Sequence, residues 1–194
     1  MLPGDPVLHA IRTGGAWDGD GLDRLVETRE RAGRWSGDGR LLTDLALAQM
    51  LQADPPASPD AGNARLWERA EANLRAGLAR SPASPHAWAR LAQVQLVNGR
   101  PADEVVKALR MSLMTGRNER ELALPRLAVG NQVRHAWDAE MTDEMLDQIR
   151  LAWHTHPQGL TRSAIRHGYA DLARGVLVED LKALARFEAY ASRL

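Results

Sequence analysis

The apolar residues of the chain recur at three- and four-residue intervals, the spacing that places them on one face of an α-helix. The pattern comes in separate stretches, and Pro or Gly residues stand between them. It predicts an all-α fold. The predicted helices cover residues 22–35, 40–52, 64–80, 85–97, 102–115, a segment that starts near 118, 142–154, 161–174 and a last segment from 177 onward.

Turn and capping residues mark several of the predicted helix ends. Ser84 is a favourable N-cap and Pro85 fits the first helical position, while Gly116 ends the helix that begins near residue 102. A Pro-rich stretch over 54–62 cannot be helical inside, so we expect a loop there between two helices. Residues 1–20 contain several Pro and Gly residues and predict a loose arm with one helical turn.

A repeated pattern of small and large residues runs through these helices. Leu-Ala pairs recur in the first helix of each predicted pair, at 45–46, 91–92 and 127–128. The second helices share a further motif, in the forms Ala70-x3-Leu74-x2-Gly77-Leu78, Val105-x3-Leu109-x2-Ser112-Leu113 and Met145-x3-Ile149-x2-Ala152-Trp153. The small residue in the motif predicts a close approach of two helix backbones, with Gly77 as the clearest example.

The region 40–157 resembles the tetratricopeptide repeat family. The residues that carry this resemblance are Trp67-x2-Ala70-x3-Leu74-x2-Gly77-Leu78-x3-Pro82, followed by Trp88-x2-Leu91-Ala92. The repeats are degenerate, because their spacing is irregular and the usual Tyr is Gln49, Gln95 or Asn131. The resemblance implies an α-solenoid of about three helix-turn-helix repeats, with a repeat array over 21–157 and capping helices over 158–194. It also implies Trp67, Trp88 and Trp153 as core residues.

In this family the first helix of each pair lines a concave surface, and the resemblance implies a partner-binding groove there. The predicted groove residues are Leu47, Met50, His86, Ala89, Arg90, Gln93, Leu96, Arg126 and Val129. On the helix that carries Arg126 and Val129, we also expect Leu122, Pro125 and Gln132 to be exposed. Some family members hold a terminal carboxylate with Lys and Asn, but Ala89 and Gln93 occupy the matching positions here. The expected partner is a peptide or helix with apolar anchors and acidic residues that pair with Arg90 and Arg126. The alternative is that both arginines form only intramolecular pairs.

Composition narrows the classes of function. The 194 residues suit one domain, and 25 basic residues balance 25 acidic ones, which argues against a nucleic-acid partner. The absence of Cys excludes disulfides and thiolate chemistry. No run reaches the ~18 apolar residues of a membrane span. The start of the chain has no signal-peptide pattern, which favours a cytoplasmic location, although a chain trimmed of its signal would look the same. The bias to Arg and Ala is typical of a GC-rich bacterial genome.

Two histidine clusters are the candidates for chemistry. His154 and His156 resemble a metal pair, but residues two apart on a helix point to different sides, so we predict no metal site. His135 and Asp138 could form an acid–base pair, yet a surface cluster packed by Trp137 is the favoured interpretation. We therefore predict no catalytic residues and no cofactor.

The last predicted helix carries an apolar stripe formed by Leu177, Leu181, Leu184 and Phe187. Such a stripe must be covered, either by packing on the repeat array as a cap or by self-association. The resemblance thus implies a protein-interaction scaffold, with bacterial cell-envelope or exopolysaccharide machinery as its expected setting. The alternatives are a self-assembling structural subunit, or a small-molecule-binding or hydrolytic protein that uses His135, Asp138 or His154.

Overall fold

The computed structural model describes residues 5–13, 15–33, 38–53 and 61–194. Within these ranges the chain is helical and contains no strand, which confirms the predicted all-α fold. The helices are α1 Asp5–Thr13, α2 Gly19–Gly33, α3 Gly39–Gln52, α4 Ala61–Arg80, α5 Pro85–Val97, α6 Ala102–Thr115, α7 Arg120–Gln132, α8 Ala139–Thr155, α9 Pro157–His167, α10 Ala170–Leu177 and α11 Leu181–Ala191, with a 3₁₀ turn at Arg134–Ala136.

The helix ends follow the capping chemistry of the sequence. Ser84 accepts a hydrogen bond from the Ala87 amide at 3.3 Å, and Pro85 occupies the first turn of α5. Asp138 caps α8 by accepting from the Met141 amide at 2.8 Å. The predicted bounds of α5 and α6 are confirmed. Asn98 follows the last residue of α5 and Gly116 follows the last residue of α6.

Three local predictions are wrong. The loose N-terminal arm contains the nine-residue helix α1, which is held because Leu8 is buried in a cluster with Leu22, Leu25 and Ala48. The predicted helix 161–174 is two helices, since Gly168 adopts a left-handed φ of 74° that ends α9. The last helix begins at Leu181 rather than Leu177. The Pro-rich segment 54–60, Trp35 and Gly37 lie outside the described residues.

The helices form two compact units, Met1–Arg100 and Pro101–Leu194. In the first unit, α3 and α4 approach closely at two glycines. A Cβ atom built on Gly77 would lie 2.8 Å from the Gly39 carbonyl oxygen and 2.7 Å from Thr43 Cγ2. A Cβ on Gly39 would lie 2.5 Å from the Gly77 carbonyl oxygen. This confirms the close backbone approach predicted at Gly77.

A buried carboxylate in the middle of α4 binds the C-terminal end of α5 in the same unit. Glu71 is 3% exposed and accepts hydrogen bonds from Asn98 Nδ2 at 2.7 Å, Arg100 Nε at 3.1 Å and Arg75 Nε at 3.1 Å. Burial alone would raise the pKa of Glu71, but the hydrogen bonds from Asn98, Arg100 and Arg75 together lower it below the ordinary value. The ionised carboxylate therefore stabilises the folded unit.

In the second unit, α11 packs against α8–α10 through one aromatic residue. Phe187 is fully buried, and its ring centroid lies 6.4 Å from that of Trp153. Arg174 lies over the ring of Phe187, 5.7 Å from the ring centroid. Trp153 and Trp67 are buried as predicted, whereas Trp88 is half-buried and donates its indole N–H to the Pro82 carbonyl.

Candidate functional site

The predicted groove residues on α5 form a partly exposed face in the first unit. His86, Arg90 and Leu96 are half-buried and Gln93 is exposed. Ala89 does not belong to this face, because it is 6% exposed and points into the core with Leu91 and Ala92. The face has the spacing of one helical stripe, since residues 86, 90, 93 and 96 are separated by three or four positions.

The predicted groove residues on α3 do not line an open surface. Met50 is 9% exposed and therefore part of the core. Leu47 is half-buried and packs against the cluster of Leu8, Leu22 and Leu25 that holds α1 and α2. The N-terminal segment is helical, and its apolar side packs against the α3 surface that the sequence predicts as part of the groove.

Arg126 on α7 contradicts its predicted exposure most clearly, because it is completely buried in the second unit. Its Nη2 atom donates to the carbonyl oxygens of Ser112 at 2.7 Å and Gly116 at 2.8 Å. Its Nε donates to Ser112 Oγ at 3.0 Å, and its Nη1 donates to Gln148 Oε1 at 3.1 Å. Burial lowers the pKa of Arg126 to about 10, so the side chain remains charged at neutral pH. Arg126 thus caps the C-terminal end of α6, where free carbonyls favour a cation.

The buried side of α7 differs from the side that the sequence predicts to be buried. Leu122, Arg126, Val129 and Gly130 are all buried, at spacings of four, three and one residues. The outer side of α7 is instead formed by Leu124, Pro125, Ala128 and Gln132, of which only Pro125 and Gln132 were predicted to be exposed. An Arg residue among apolar residues predicts a surface position. In the structure, however, the residues one turn before and one turn after Arg126, Leu122 and Gly130, are both buried.

The outer side of α7 borders a cleft of about 350 Å³ against α9. Its apolar part consists of Leu124, Pro125, Ala128 and Gly159. Gly159 brings the α9 backbone close to α7, since a Cβ atom there would lie 3.2 Å from Leu124 Cδ1. This α7–α9 cleft lies within the range of roughly 300–1,000 Å³ that is typical of ligand pockets.

The polar part of the α7–α9 cleft comes from α9 and is basic. Arg162, Ser163 and Arg166 follow Gly159 at spacings of three, four and seven residues, which places them on one stripe of the helix. Leu160, Thr161 and Ala164 are buried on its other side and fix this orientation. Ser163 is held in place because its hydroxyl accepts a hydrogen bond from the Tyr169 hydroxyl at 2.7 Å.

Both cleft arginines are exposed, and in the part of the chain that the structure describes neither forms an ion pair. No lining residue of the α7–α9 cleft is acidic. This contrasts with Arg110, Arg117 and Arg174 in the same unit, which all pair with carboxylates. The cleft therefore presents an apolar floor beside two cations whose charge is not neutralised within the described residues.

The histidine candidates have no comparable arrangement. Asp138 caps α8 and pairs with Arg110 at 2.8 Å. The Met141 amide and the Arg110 guanidinium hold the pKa of Asp138 below its usual value, which makes it a weak base at neutral pH. His135, His154 and His156 are exposed. Among the described residues, no three His, Asp or Glu side chains lie close enough to hold a metal ion.

The predicted apolar stripe at the end of the chain is divided between two helices. Leu177 and Phe187 are buried, but Leu181 is 74% exposed. Its predicted burial is wrong because α10 ends at Leu177 and α11 begins at Leu181, so the two residues are not on one continuous helix. The turn between them leaves Leu181 on the surface.

Comparison with known proteins identifies the class of the fold. No family model matches the chain, and no curated protein matches its sequence. The fold is similar to that of helical repeat proteins, and the chain belongs to the α-solenoid class. A solved structure that shares it is the crystal structure of MamA, a TPR-like protein, with a TM-score of 0.58 and 13% sequence identity. The similarity covers 100% of this chain and 99% of MamA.

None of the described helices combines the length and the apolar character that crossing a bilayer would require.

Proposed function

We propose that this chain is a TPR-like protein-interaction module that binds a segment of a partner protein in the α7–α9 cleft. The observation that carries the proposal is the uncovered apolar floor of this cleft beside Arg162 and Arg166, two exposed cations without a carboxylate partner in the described ranges. The helical-repeat fold supports the proposal, because such folds present the surfaces of successive helices to partners. The face of α5 with His86, Arg90, Gln93 and Leu96 is proposed as a second contact surface.

The chemistry of the cleft indicates the chemistry of the partner. Apolar side chains would gain free energy on the floor formed by Leu124, Pro125 and Ala128. A guanidinium forms strong, oriented hydrogen bonds to a carboxylate, so acidic side chains would fix the direction of the bound segment. Equal numbers of acidic and basic residues in the whole chain favour a protein over a nucleic acid as this partner.

The wider setting is also a proposal. The Arg- and Ala-rich composition is typical of a GC-rich bacterial genome, and short repeat proteins of this kind accompany cell-envelope and exopolysaccharide machinery. In that setting the chain would act as a scaffold or adaptor without chemistry of its own. The contacts of Asp138 support this view, because its carboxylate binds the Met141 amide and the Arg110 guanidinium.

The experiment is affinity capture from the source cells with the full chain and two double variants. Arg162→Glu/Arg166→Glu reverses the charge of the cleft. Arg24→Glu/Arg65→Glu alters two exposed arginines of the first unit and changes the net charge by the same amount. We expect specific partners to be captured by the parent and the control and to be lost with the cleft variant.

Each partner found in this way is then tested by titration calorimetry against the same three proteins. Circular dichroism should give the same melting temperature for all of them, since the four substituted residues are exposed. A partner set that is unchanged in the cleft variant contradicts the proposed site.

A further inference from the structure

The turn between α10 and α11 presents apolar and acidic residues together on the surface. Val178 and Leu181 are 54% and 74% exposed, which is unusual for large apolar side chains. The two residues between them, Glu179 and Asp180, are also exposed. We call the segment 178–181 the acidic turn.

The acidic turn has a fixed shape. The Asp180 amide donates to the Leu177 carbonyl at 3.0 Å. Oδ1 of Asp180 accepts from the amides of Lys182 and Ala183 at 3.0 and 3.1 Å and caps α11. Glu179 forms no ion pair with any described residue. The turn is therefore a preorganised segment that carries an uncompensated carboxylate between two exposed apolar side chains, and little conformational entropy would be lost when it binds.

We propose that the acidic turn of one copy docks in the α7–α9 cleft of a second copy. Val178 and Leu181 meet the floor formed by Leu124, Pro125 and Ala128, and Glu179 pairs with Arg162 or Arg166. This inference rests on the proposed function of the cleft as a site for acidic, apolar segments, and it names one such segment. The match of charge and apolar surface on the same chain is the argument for this occupant.

The geometry of the contact follows from the position of the two surfaces. The cleft lies between α7 and α9, whereas the turn follows α10, so each copy uses two different surfaces. Contacts of this head-to-tail type extend into rings or open chains rather than stopping at a symmetric dimer. The contact is partly an exposed ion pair, so salt should weaken it.

One other segment has related chemistry and serves as a control. Trp17 is 42% exposed and is followed by Asp18 and Asp20. The acidic turn is the better candidate because both of its apolar residues are more exposed and it is held between two helices.

The test is sedimentation velocity of the full chain over a wide concentration range. We expect the parent to show concentration-dependent association that decreases at high salt. The turn variant Glu179→Lys/Leu181→Ser and the cleft variant Arg162→Glu/Arg166→Glu should each weaken this association by roughly tenfold or more. The matched control, Trp17→Ser/Asp20→Lys, should associate as the parent does. Circular dichroism establishes that all variants are folded.

A mixture of the two weakened variants tests the head-to-tail arrangement. The cleft variant retains an intact turn and the turn variant retains an intact cleft, so an equimolar mixture should form a one-to-one complex that does not grow further. A parent that stays monomeric, a turn variant that associates normally, a control that loses association, or a mixture without a complex would each overturn the proposal.

Failure of this inference can be distinguished from failure of the proposed function. The turn variant has an unaltered cleft and should capture other proteins from cells as well as the parent does. If the parent does not self-associate but the cleft variant still loses its partners, the cleft binds other proteins and the second copy is not its occupant.

Discussion

Replacement of Gly77 by Ala should destabilise the protein, although Ala is the better helix former. In a helix interior Ala is favoured over Gly by roughly 0.5–1 kcal/mol. At Gly77, however, the new Cβ would lie 2.8 Å from the Gly39 carbonyl oxygen and 2.7 Å from Thr43 Cγ2. Thr43 can move its methyl group, but a backbone oxygen moves only if α3 shifts away from α4. Overpacking of this kind costs typically about 1–3 kcal/mol.

The net change in the free energy of unfolding is the cost of overpacking minus the gain in helix propensity. We expect Gly77→Ala to lower the free energy of unfolding by about 0.5–2 kcal/mol, and the larger Gly77→Leu to lower it by about 1–3 kcal/mol or more. Gly39→Ala should behave like Gly77→Ala, since its Cβ would lie 2.5 Å from the Gly77 carbonyl oxygen. Gly175→Ala in α10 is the matched control, because its Cβ would meet no atom within 4 Å. It should stabilise the chain by roughly 0.5–1 kcal/mol.

The assay is urea denaturation followed by circular dichroism, with thermal melting as a second measurement. For a chain of this length, 1 kcal/mol corresponds to a shift of about 2–4 °C in the melting temperature. If Gly77→Ala is as stable as Gly175→Ala, the backbones of α3 and α4 do not meet at this glycine, and the packing argument is refuted.

Three further predictions concern buried charges and the C-terminal helix. Arg126→Met should lower the free energy of unfolding by about 3–5 kcal/mol in urea titrations, because carbonyls at the end of α6 lose their donor. Glu71 has a lowered pKa in the folded state, so its contribution to the stability of the folded chain is present above the unfolded pKa and is lost as pH falls through the folded pKa. The melting temperature should therefore fall more steeply in acid for the parent than for Glu71→Gln. Truncation after Gly175 removes Phe187 from Trp153, and it should lower the melting temperature and increase the binding of a hydrophobic dye.

Each of these predictions has a contrary result. Parent-like stability of Arg126→Met would show that the carbonyls at the end of α6 need no buried cation. Parallel acid profiles for the parent and Glu71→Gln would place the acid-sensitive group elsewhere. A truncated chain that stays monomeric and equally stable would contradict the proposed role of the last helices as a cap.

Local sequence signals are sufficient for the bounds of α5 and α6 and for the helical character of the chain, but not for the helix faces. Ser84 and Pro85 define the start of α5 because capping depends on residues that are neighbours in sequence. The close approach at Gly77 was also predictable, since a small residue recurs at that point of each motif. The break at Gly168 was missed because the apolar pattern continues across it, and only its left-handed φ ends the helix.

The position of the binding surface cannot be predicted from any short stretch of the sequence, because it depends on contacts between residues that are distant in sequence. Arg126 is buried because the Ser112 carbonyl of α6 and the side-chain oxygen of Gln148 on α8 accept its hydrogen bonds, and these groups are distant in sequence. The predicted face of α7 lies one residue too late in the sequence, which places Arg126 and Val129 outside and Ala128 inside. Arg162 and Arg166 were visible as charges on a predicted helix, but their proximity to Leu124 is a property of the packed helices.

The contacts of Arg126 affect how cooperatively the second unit folds. A single guanidinium ties the end of α6 and the turn after it to α7 and, through Gln148, to α8. The Arg117 carbonyl in the α6–α7 turn accepts hydrogen bonds from both Arg126 and Gln148, so it has both donors only when all three helices are in place. In an ideal solenoid each repeat adds stability through its neighbour alone, and order can spread one repeat at a time. Here the joint is cooperative, so α6, α7 and α8 should open together in amide hydrogen exchange, as one block with a common free energy.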